Sequence, residues 1–508
     1  MDPYSECLSV TGPTAGPAKR SLNPRTLFAS LRLPVRLTRD AEGAWHRHDT
    51  QSETSRALRA VLRSRGGVWL GWPGVAMEPG EETGLAFAGA IEGEGVSLRP
   101  VWLLREEVEQ GAGCFAEGLL LPLLHDLAPT EPVSAKAWAA YQSINRKFAE
   151  AIARVAAPSD RLVVYDASLM TVVSELRRME FGIEAAFFFD VGFPSPDILV
   201  RLPWCRSLIE GLLACSRIGF QTDGDLERFL TCVVRLEPRA QVERQEGWSR
   251  IRLPEDKGEG REVAAIVCPS GVDYHGLAAR AAQPDITTAA DDLRRTLGDR
   301  KLVVAVDRLR PSQGIPAKLD AFAHSLERFP ELCEQVSLLE TVIPCGEPLP
   351  ATVALRSEIE RRVGEINGRF GAPGWVPVVY RYAELSEAEL LVLYRAADLA
   401  LMTPLREGMG LAAKEYVAAA GSCRGALVLS EFDGAAARLA TAAIVVNPYD
   451  LEAMAEAIAQ GLALSQEERK KRMRQLLVEV QSRDTRFWAA SFLGIPTRDT
   501  RRSSATSG

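Results

Sequence analysis

The chain has 508 residues, with 60 Lys and Arg against 67 Asp and Glu, five His and nine Cys, for a net charge of −7. Its 46% hydrophobic and 25% charged content is that of a globular protein, which excludes whole-chain disorder, collagen and coiled coil. The acidic balance argues against a nucleic acid or an anionic membrane as partner, and no charge-free apolar run reaches the ~18 residues of a bilayer span.

Residues 1–25 are polar and contain Pro, Ser and Gly, so they read as a flexible N-terminus, and the opening MDPYSECLSVTGP has no secretory-signal pattern. A cytoplasmic protein is expected. The first long helical pattern is SAKAWAAYQSINRKFAEAIARVA (134–156). LVVY (162–165), AFFF (186–189) and VAAIV (263–267) then read as strands, and polar, turn-forming residues gather at RLPEDKGEGREV and PSGVDYHG (269–276). A domain boundary is placed there, at 274/275. Beyond it come the strand LVVAV (302–306), the helix GIPAKLDAFAHSLERF, and the strands VPVVY (376–380), LALM (399–402), ALVLS (426–430) and AAIVV (442–446). One long helix is predicted over LEAMAEAIAQGLALSQEERKKRMRQLLVEVQ (451–481), and the tail 498–508 reads as disordered.

The strand-like runs are continuously apolar, as strands covered on both faces of a parallel sheet must be. Their alternation with helices in both halves predicts two doubly wound α/β domains, whose ligands bind at the carboxyl ends of the strands. The nine cysteines are scattered without a C-x-x-C, and the histidines show no metal-ligand spacing, so neither a disulfide framework nor a metal site is expected.

Chemistry-bearing residues stand at four strand ends. After LALM, Thr403-Pro-Leu-Arg-Glu-Gly-Met-Gly-Leu-Ala-Ala-Lys-Glu-Tyr-Val417 carries Gly408 and Gly410 ahead of a helix. Unpaired amides at such a start can bind a diphosphate, with Glu415 one turn further on for ribose hydroxyls; an ordinary tight turn is the alternative. Arg308 ends the strand before VDRLRPSQGIPAKLDAF (306–322), where a guanidinium grips phosphate or forms a surface ion pair. Asp166 and Asp190 end LVVY and AFFF, as cleft carboxylates or as turn and helix caps.

LVVYDASLM, FFFDVGFPSPDILVRLPW, VDRLRPSQGIP and LREGMGLAAKEYVA, in this order and spacing, resemble the trehalose-6-phosphate synthase family of retaining glycosyltransferases, family 20. VWLGWPG (68–74), LPLLHDL (121–127), IEGLLACSRIGFQT, EINGRFG (365–371) and VLSEFDGAAARL extend the resemblance from roughly residue 28 to 492. It implies a GT-B fold: two facing Rossmann-like domains, an acceptor domain over 26–274 and a nucleotide domain over 275–475, with a crossover helix over 476–497 packing on the first. It implies that Arg308, Gln313, Gly410, Leu411 and Glu415 bind the nucleotide and that Asp190, Glu407, Gly408 and Met409 face the donor ring. Arg32 and Asp166 would hold the acceptor, with Asp166 and Arg308 as the catalytic pair. The nucleoside-diphosphate donor is itself a substrate, no metal or other cofactor is implied, and a homo-oligomer is left open. In the family mechanism the diphosphate leaves from the face that the acceptor attacks, and helps to deprotonate it.

Departures from the family pattern are also visible. Both histidines of the HDYHL segment are gone, leaving Tyr165-Asp-Ala-Ser-Leu169, and Asp190 replaces the histidine that contacts the donor sugar. Gln313 replaces a lysine, DGMN becomes Glu407-Gly-Met-Gly410, and the glycine pair over the donor becomes Ser52-Glu53, whose glutamate should move that loop elsewhere. The acceptor-phosphate tyrosine and tryptophan align with Ala112 and Leu121, and a second phosphate arginine aligns loosely near Gly346. Each lost charged hydrogen bond costs ~1.5–3 kcal/mol, which predicts an acceptor other than glucose 6-phosphate. The expectation is therefore a divergent transferase or pseudo-glycosyltransferase, similar to validoxylamine A 7′-phosphate synthase, joining a nucleotide-activated sugar or cyclitol to a small polar acceptor in natural-product biosynthesis. A catalytically inactive regulatory or scaffolding member is the alternative. A trehalose-6-phosphate synthase with a rebuilt pocket ranks below both.

Overall fold

The computed structural model describes residues 25–40, 45–49, 62, 67–78, 92–93, 96–254, 260–345, 349–421 and 424–493. Ser52, Glu53, Gly346 and the two chain ends lie outside the described residues.

Two sheets organise the chain. In the first, the parallel order is Arg261–Val267, Arg217–Phe220, Glu184–Phe188, Arg161–Val164, Thr26–Arg32, Gly67–Trp72 and Val96–Pro100. The antiparallel strands Trp248–Leu253 and Gln241–Gln245 extend one edge, and Glu92–Gly93 closes the other. In the second, Val378–Tyr382, Val336–Ile343, Lys301–Arg308, Leu399–Met402, Leu427–Ser430 and Ile444–Val446 are all parallel. This α/β architecture, with one mixed sheet built on a parallel centre and one wholly parallel sheet, is GT-B.

The pleat explains why these strands read as unbroken apolar runs. Leu302, Val304 and Val306 enter one core, and Val303 and Ala305 enter the core on the opposite face. The helix Ala135–Val155 packs on the first sheet through Tyr141, Ile144, Phe148 and Ile152, and its start is fixed by Ser134, whose hydroxyl accepts from the Ala137 amide at 3.3 Å. The single helix expected over 451–481 is two, Leu451–Ala463 and Gln466–Ser482. Leu464 leaves the helix, and Ser465 turns extended to cap the second helix by accepting from Glu468 N at 3.2 Å. No helix among the described residues is long and apolar enough to cross a membrane.

The chain passes between the sheets twice, and the two crossings touch. The first runs through Ser270–Val272, the second through Arg483–Thr485. Thr485 donates its amide to Val272 O and its hydroxyl to Gly271 O, both at 3.1 Å. The helix Gln466–Ser482 stays on the second sheet through Met473, Leu476 and Val480. The short helix Thr485–Leu493 returns to the first, burying Trp488 and Phe492 against Phe188. Each such ring contributes about 1.5–3 kcal/mol of burial.

Gly271 is the tightest point of this junction, because any Cβ there would overlap the Arg483 carbonyl and the Asp484 backbone. Gly271→Val should therefore destabilise the protein by about 1–3 kcal/mol, read as a lower midpoint in thermal or urea unfolding. A midpoint equal to that of the unmodified protein would show that the crossings need not touch.

Candidate functional site

The carboxyl ends of both sheets meet in a cleft holding two cavities. They share Tyr165, Asp190, Val191, Arg308, Arg310 and Ile343, so one opens into the other.

The smaller, of roughly 120 Å³, lies on the second sheet. Its floor is the end of the strand Lys301–Arg308, and its far wall is the turn that opens the helix Leu411–Ala420. Gly410 makes that turn with φ of +56°, and a Cβ there would overlap the Asp433 carboxylate, so only glycine fits. The helix start has no side-chain cap, and Leu411, Ala412 and Ala413 face the cavity, an arrangement that suits an anion. Gln313 Nε2 donates to Glu407 Oε2 at 2.7 Å, which holds that carboxylate on the cavity wall.

Of the residues read from sequence for this half, Asp190, Arg308, Gln313, Glu407, Met409, Gly410 and Leu411 line the cavity. Gly408 does not. It lets its loop press against the backbone of Asp190–Val191, where a Cβ would overlap. Glu415 is buried one turn into the helix, and neither cavity includes it. Arg310, His125 and Asp433 line the cavity but were not read as site residues. His125 lies in LPLLHDL and Asp433 in VLSEFDGAAARL, so both motifs carried a signal; Arg310 carried none beyond its place two residues after Arg308.

The larger cavity, of roughly 590 Å³, lies against the first sheet and includes Arg32 and Asp166 as expected. Both oxygens of Asp166 accept backbone amides, from Ser168 at 2.8 Å and Leu31 at 2.9 Å, so its capping and cleft roles coincide. Two indoles form the wall. Trp69 Nε1 donates to Ser30 Oγ and Trp72 Nε1 to Val75 O, each at 2.8 Å, and Arg32 lies over the Trp72 ring at 4.7 Å. Arg36, Arg308 and Arg310 complete four guanidinium groups around this space. Leu121 lines it as well, whereas Ala112 is buried in the core of the first sheet.

Burial and the nearby Asp166 charge push the Asp190 carboxyl up to about 7. Burial and Glu407 push Asp433 up to about 7 as well. Burial pushes the His125 imidazole below its ordinary value, and its Nδ1–H donates to Leu121 O at 2.7 Å. Among the described residues no group of three or more His, Cys, Asp or Glu is placed to hold a metal ion.

The model of glycosyltransferase family 20 matches residues 24–495. The trehalose-6-phosphate synthase of Mycolicibacterium vanbaalenii is 35% identical over 482 residues, 95% of this chain and 97% of that protein. The Mycolicibacterium smegmatis enzyme of the same name is 36% identical over 463 residues, 91% of this chain and 90% of its own. A solved α,α-trehalose-phosphate synthase (UDP-forming) from Burkholderia xenovorans, in complex with glucose-6-phosphate, superposes with a TM-score of 0.81 at 29% identity, covering 93% of this chain and 99% of that one. The E. coli enzyme bound with UDP-2-fluoro glucose gives 0.81 at 27% identity over 92% and 98%.

These similarities overturn the expectation of a divergent acceptor. Near full-length identity of 35–36% to trehalose-6-phosphate synthases points to the ordinary activity of that family, not to a pseudo-glycosyltransferase of natural-product biosynthesis or an inactive subunit. The physical reason lies in the larger cavity. Losing aromatic residues at Ala112 and Leu121 does not empty it, because Trp69, Trp72 and the guanidinium groups line it.

The Asp190 carboxyl gives this site a pH signature. Its folded value lies above the ordinary value near 4, so the fold disfavours its charged form. The resulting cost is absent below about pH 4, grows as pH rises towards 7 and is constant above. Asp190→Asn removes it, so the thermal midpoint of the variant should gain on the unmodified protein between pH 4 and pH 7 and hold that gain at higher pH. A midpoint difference that does not vary with pH would contradict the raised carboxyl.

Proposed function

The chain belongs to glycosyltransferase family 20, and we propose that it is a trehalose-6-phosphate synthase, transferring glucose from UDP-glucose to glucose 6-phosphate with release of UDP. The observation that carries this reading is the pair of joined cavities, with Arg308 at their junction and an uncapped helix start behind it. A nucleotide sugar on the second sheet and a sugar phosphate on the first would meet beside Arg308 and Asp166. The names of the similar proteins support the same substrates.

The C1–O bond to the diphosphate breaks while a C1–O bond to the acceptor hydroxyl forms on the same face of the ring. The hydroxyl proton passes to the departing diphosphate oxygen, so no histidine base is needed where Tyr165 now stands. Negative charge grows on the diphosphate as it leaves. Arg308 and the amides of Leu411 and Ala412 face that charge, and stabilising it lowers the barrier. Asp166 orients the acceptor, while Asp190, Glu407 and Met409 surround the donor ring. The positive charge needed is thus supplied by guanidinium groups and backbone amides, and the reading includes no metal or other cofactor. Both substrates are charged metabolites of the cytoplasm, where we place the reaction.

The test is an assay for trehalose 6-phosphate from UDP-glucose and glucose 6-phosphate. Sustained turnover is expected, and its absence at millimolar substrates would sink the reading. Arg308→Ala should weaken UDP binding more than tenfold by calorimetry, and an unchanged affinity would mean that the diphosphate lies elsewhere.

A further inference from the structure

Arg310 is the arginine of the donor-side cavity that neither the sequence pattern nor the family resemblance assigns. It stands just past the strand Lys301–Arg308, half-buried, and lines both cavities of the cleft and a third, apolar one of roughly 40 Å³ beside them. Among the described residues no carboxylate lies within ion-pair distance of its guanidinium, and its side chain makes no hydrogen bond. The titratable groups around it include Glu117, Glu407, Asp190, His125 and Arg308, together with the Cys345 thiol. Of the two joined cavities, Glu117 and Cys345 line the larger, acceptor-side one only and Glu407 the donor-side one only, so Arg310 stands between the two and can reach the acceptor side. A half-buried guanidinium without a bonded partner that opens onto a ligand cavity is built to receive an anion.

Its position coincides with what the acceptor pocket lacks by alignment. The family's tryptophan position is Leu121, and its second phosphate arginine falls near Gly346. Arg310 shares the larger cavity with Leu121 and with Cys345, the residue before Gly346, so it approaches the same space from a different strand end.

We propose that Arg310 binds the 6-phosphate of the acceptor and sets the preference for a phosphorylated sugar over the free sugar. This rests on the function proposed above. With Arg32, it places two guanidinium groups on a sugar phosphate without requiring an arginine at the aligned position. A planar fork can grip two phosphate oxygens at once, which a lysine cannot.

The experiment uses the full chain, Arg310→Gln and Arg310→Lys. Initial rates are measured with UDP-glucose and either glucose 6-phosphate or glucose, and UDP binding is measured by calorimetry. Arg310→Gln should raise the KM for glucose 6-phosphate at least tenfold and leave the Kd for UDP within about twofold. It should also shrink the ratio of kcat/KM for glucose 6-phosphate over glucose by a similar factor, with Arg310→Lys in between. An unchanged KM for glucose 6-phosphate, or an equal loss of UDP affinity, would overturn the proposal; the second result would place Arg310 on the donor diphosphate. If Arg310→Gln fails to fold, Arg310→Lys decides alone, because only an acceptor-phosphate role raises that KM while sparing UDP. Failure of the unmodified chain to use glucose 6-phosphate at all would instead strike at the parent function, before any variant is compared.

Discussion

Everything at the cleft depends on two backbone crossings being in contact. With Thr485 bonded to Val272 and Gly271, the strand ends of the two sheets are held facing each other at short range. Ser270, at the start of the first crossing, carries the coupling further. Its carbonyl accepts from the buried Lys414 ammonium at 2.7 Å, its amide donates to Gln221 Oε1 at 3.0 Å, and its hydroxyl lies 3.3 Å from the Tyr165 hydroxyl. Burial lowers Lys414 to about 8. Such a charged hydrogen bond, away from water, is stronger than its surface counterpart and costly to leave unmade. The helix behind the donor cavity is thereby tied to the strand ends of the first sheet. Arg406 adds a second tie, with its guanidinium 3.4 Å from Asp225 and 3.6 Å from Asp126 across the same interface.

A cleft held this closely concentrates charge. Arg32, Arg36, Arg308 and Arg310 share the two joined cavities with Glu117, Asp166, Asp190, Asp307, Glu384, Glu407 and Asp433. Burial decides how much of the negative side is expressed, since it pushes Asp190 and Asp433 up to about 7 and favours their neutral forms near neutral pH. Glu407 is held differently, by the amide of Gln313. The space is consequently more receptive to phosphate than a count of its carboxylates suggests. The whole-chain charge of −7 says nothing about it, because a field is set by the groups at the cavity and not by the sum over the surface.

The parallel strands and the residues at their ends were legible in the sequence, because a strand buried on both faces leaves an uninterrupted apolar run with a polar residue where it meets the cleft. LVVY with Asp166, AFFF with Asp190 and LVVAV with Arg308 all follow this rule. The strand Val336–Ile343 obscures it, with Glu340 and Thr341 in mid-strand. Its register sets Glu340 opposite Ala305, beside the buried ion pair of Lys318 and Asp307. Burial and the Asp307 charge drive the Glu340 carboxyl well above its usual range, so it can occupy a sheet interior. Such a polar group is readable only once its neighbours are known. The break at Ser465 was hidden for the opposite reason, since the residues on both sides favour helix and a single capping hydroxyl decides the matter.

The acceptor pocket shows where position-by-position reasoning fails. Ala112 and Leu121 count as losses only if a binding site is equated with the positions that usually build it. A cavity is defined by the side chains that reach it, whatever strand they come from. Trp69 and Trp72 were on view in VWLGWPG, yet only the fold shows that they wall the space beside Arg32. The exchange of a lysine for Gln313 has a similar resolution. The amide that removes one positive charge also holds the Glu407 carboxylate in place by hydrogen bonding, and Arg308 remains at the same cavity. Substitutions that are each adverse alone become compatible once they share a cavity, because the electrostatic free energy depends on the set of groups and is not a sum over separate positions.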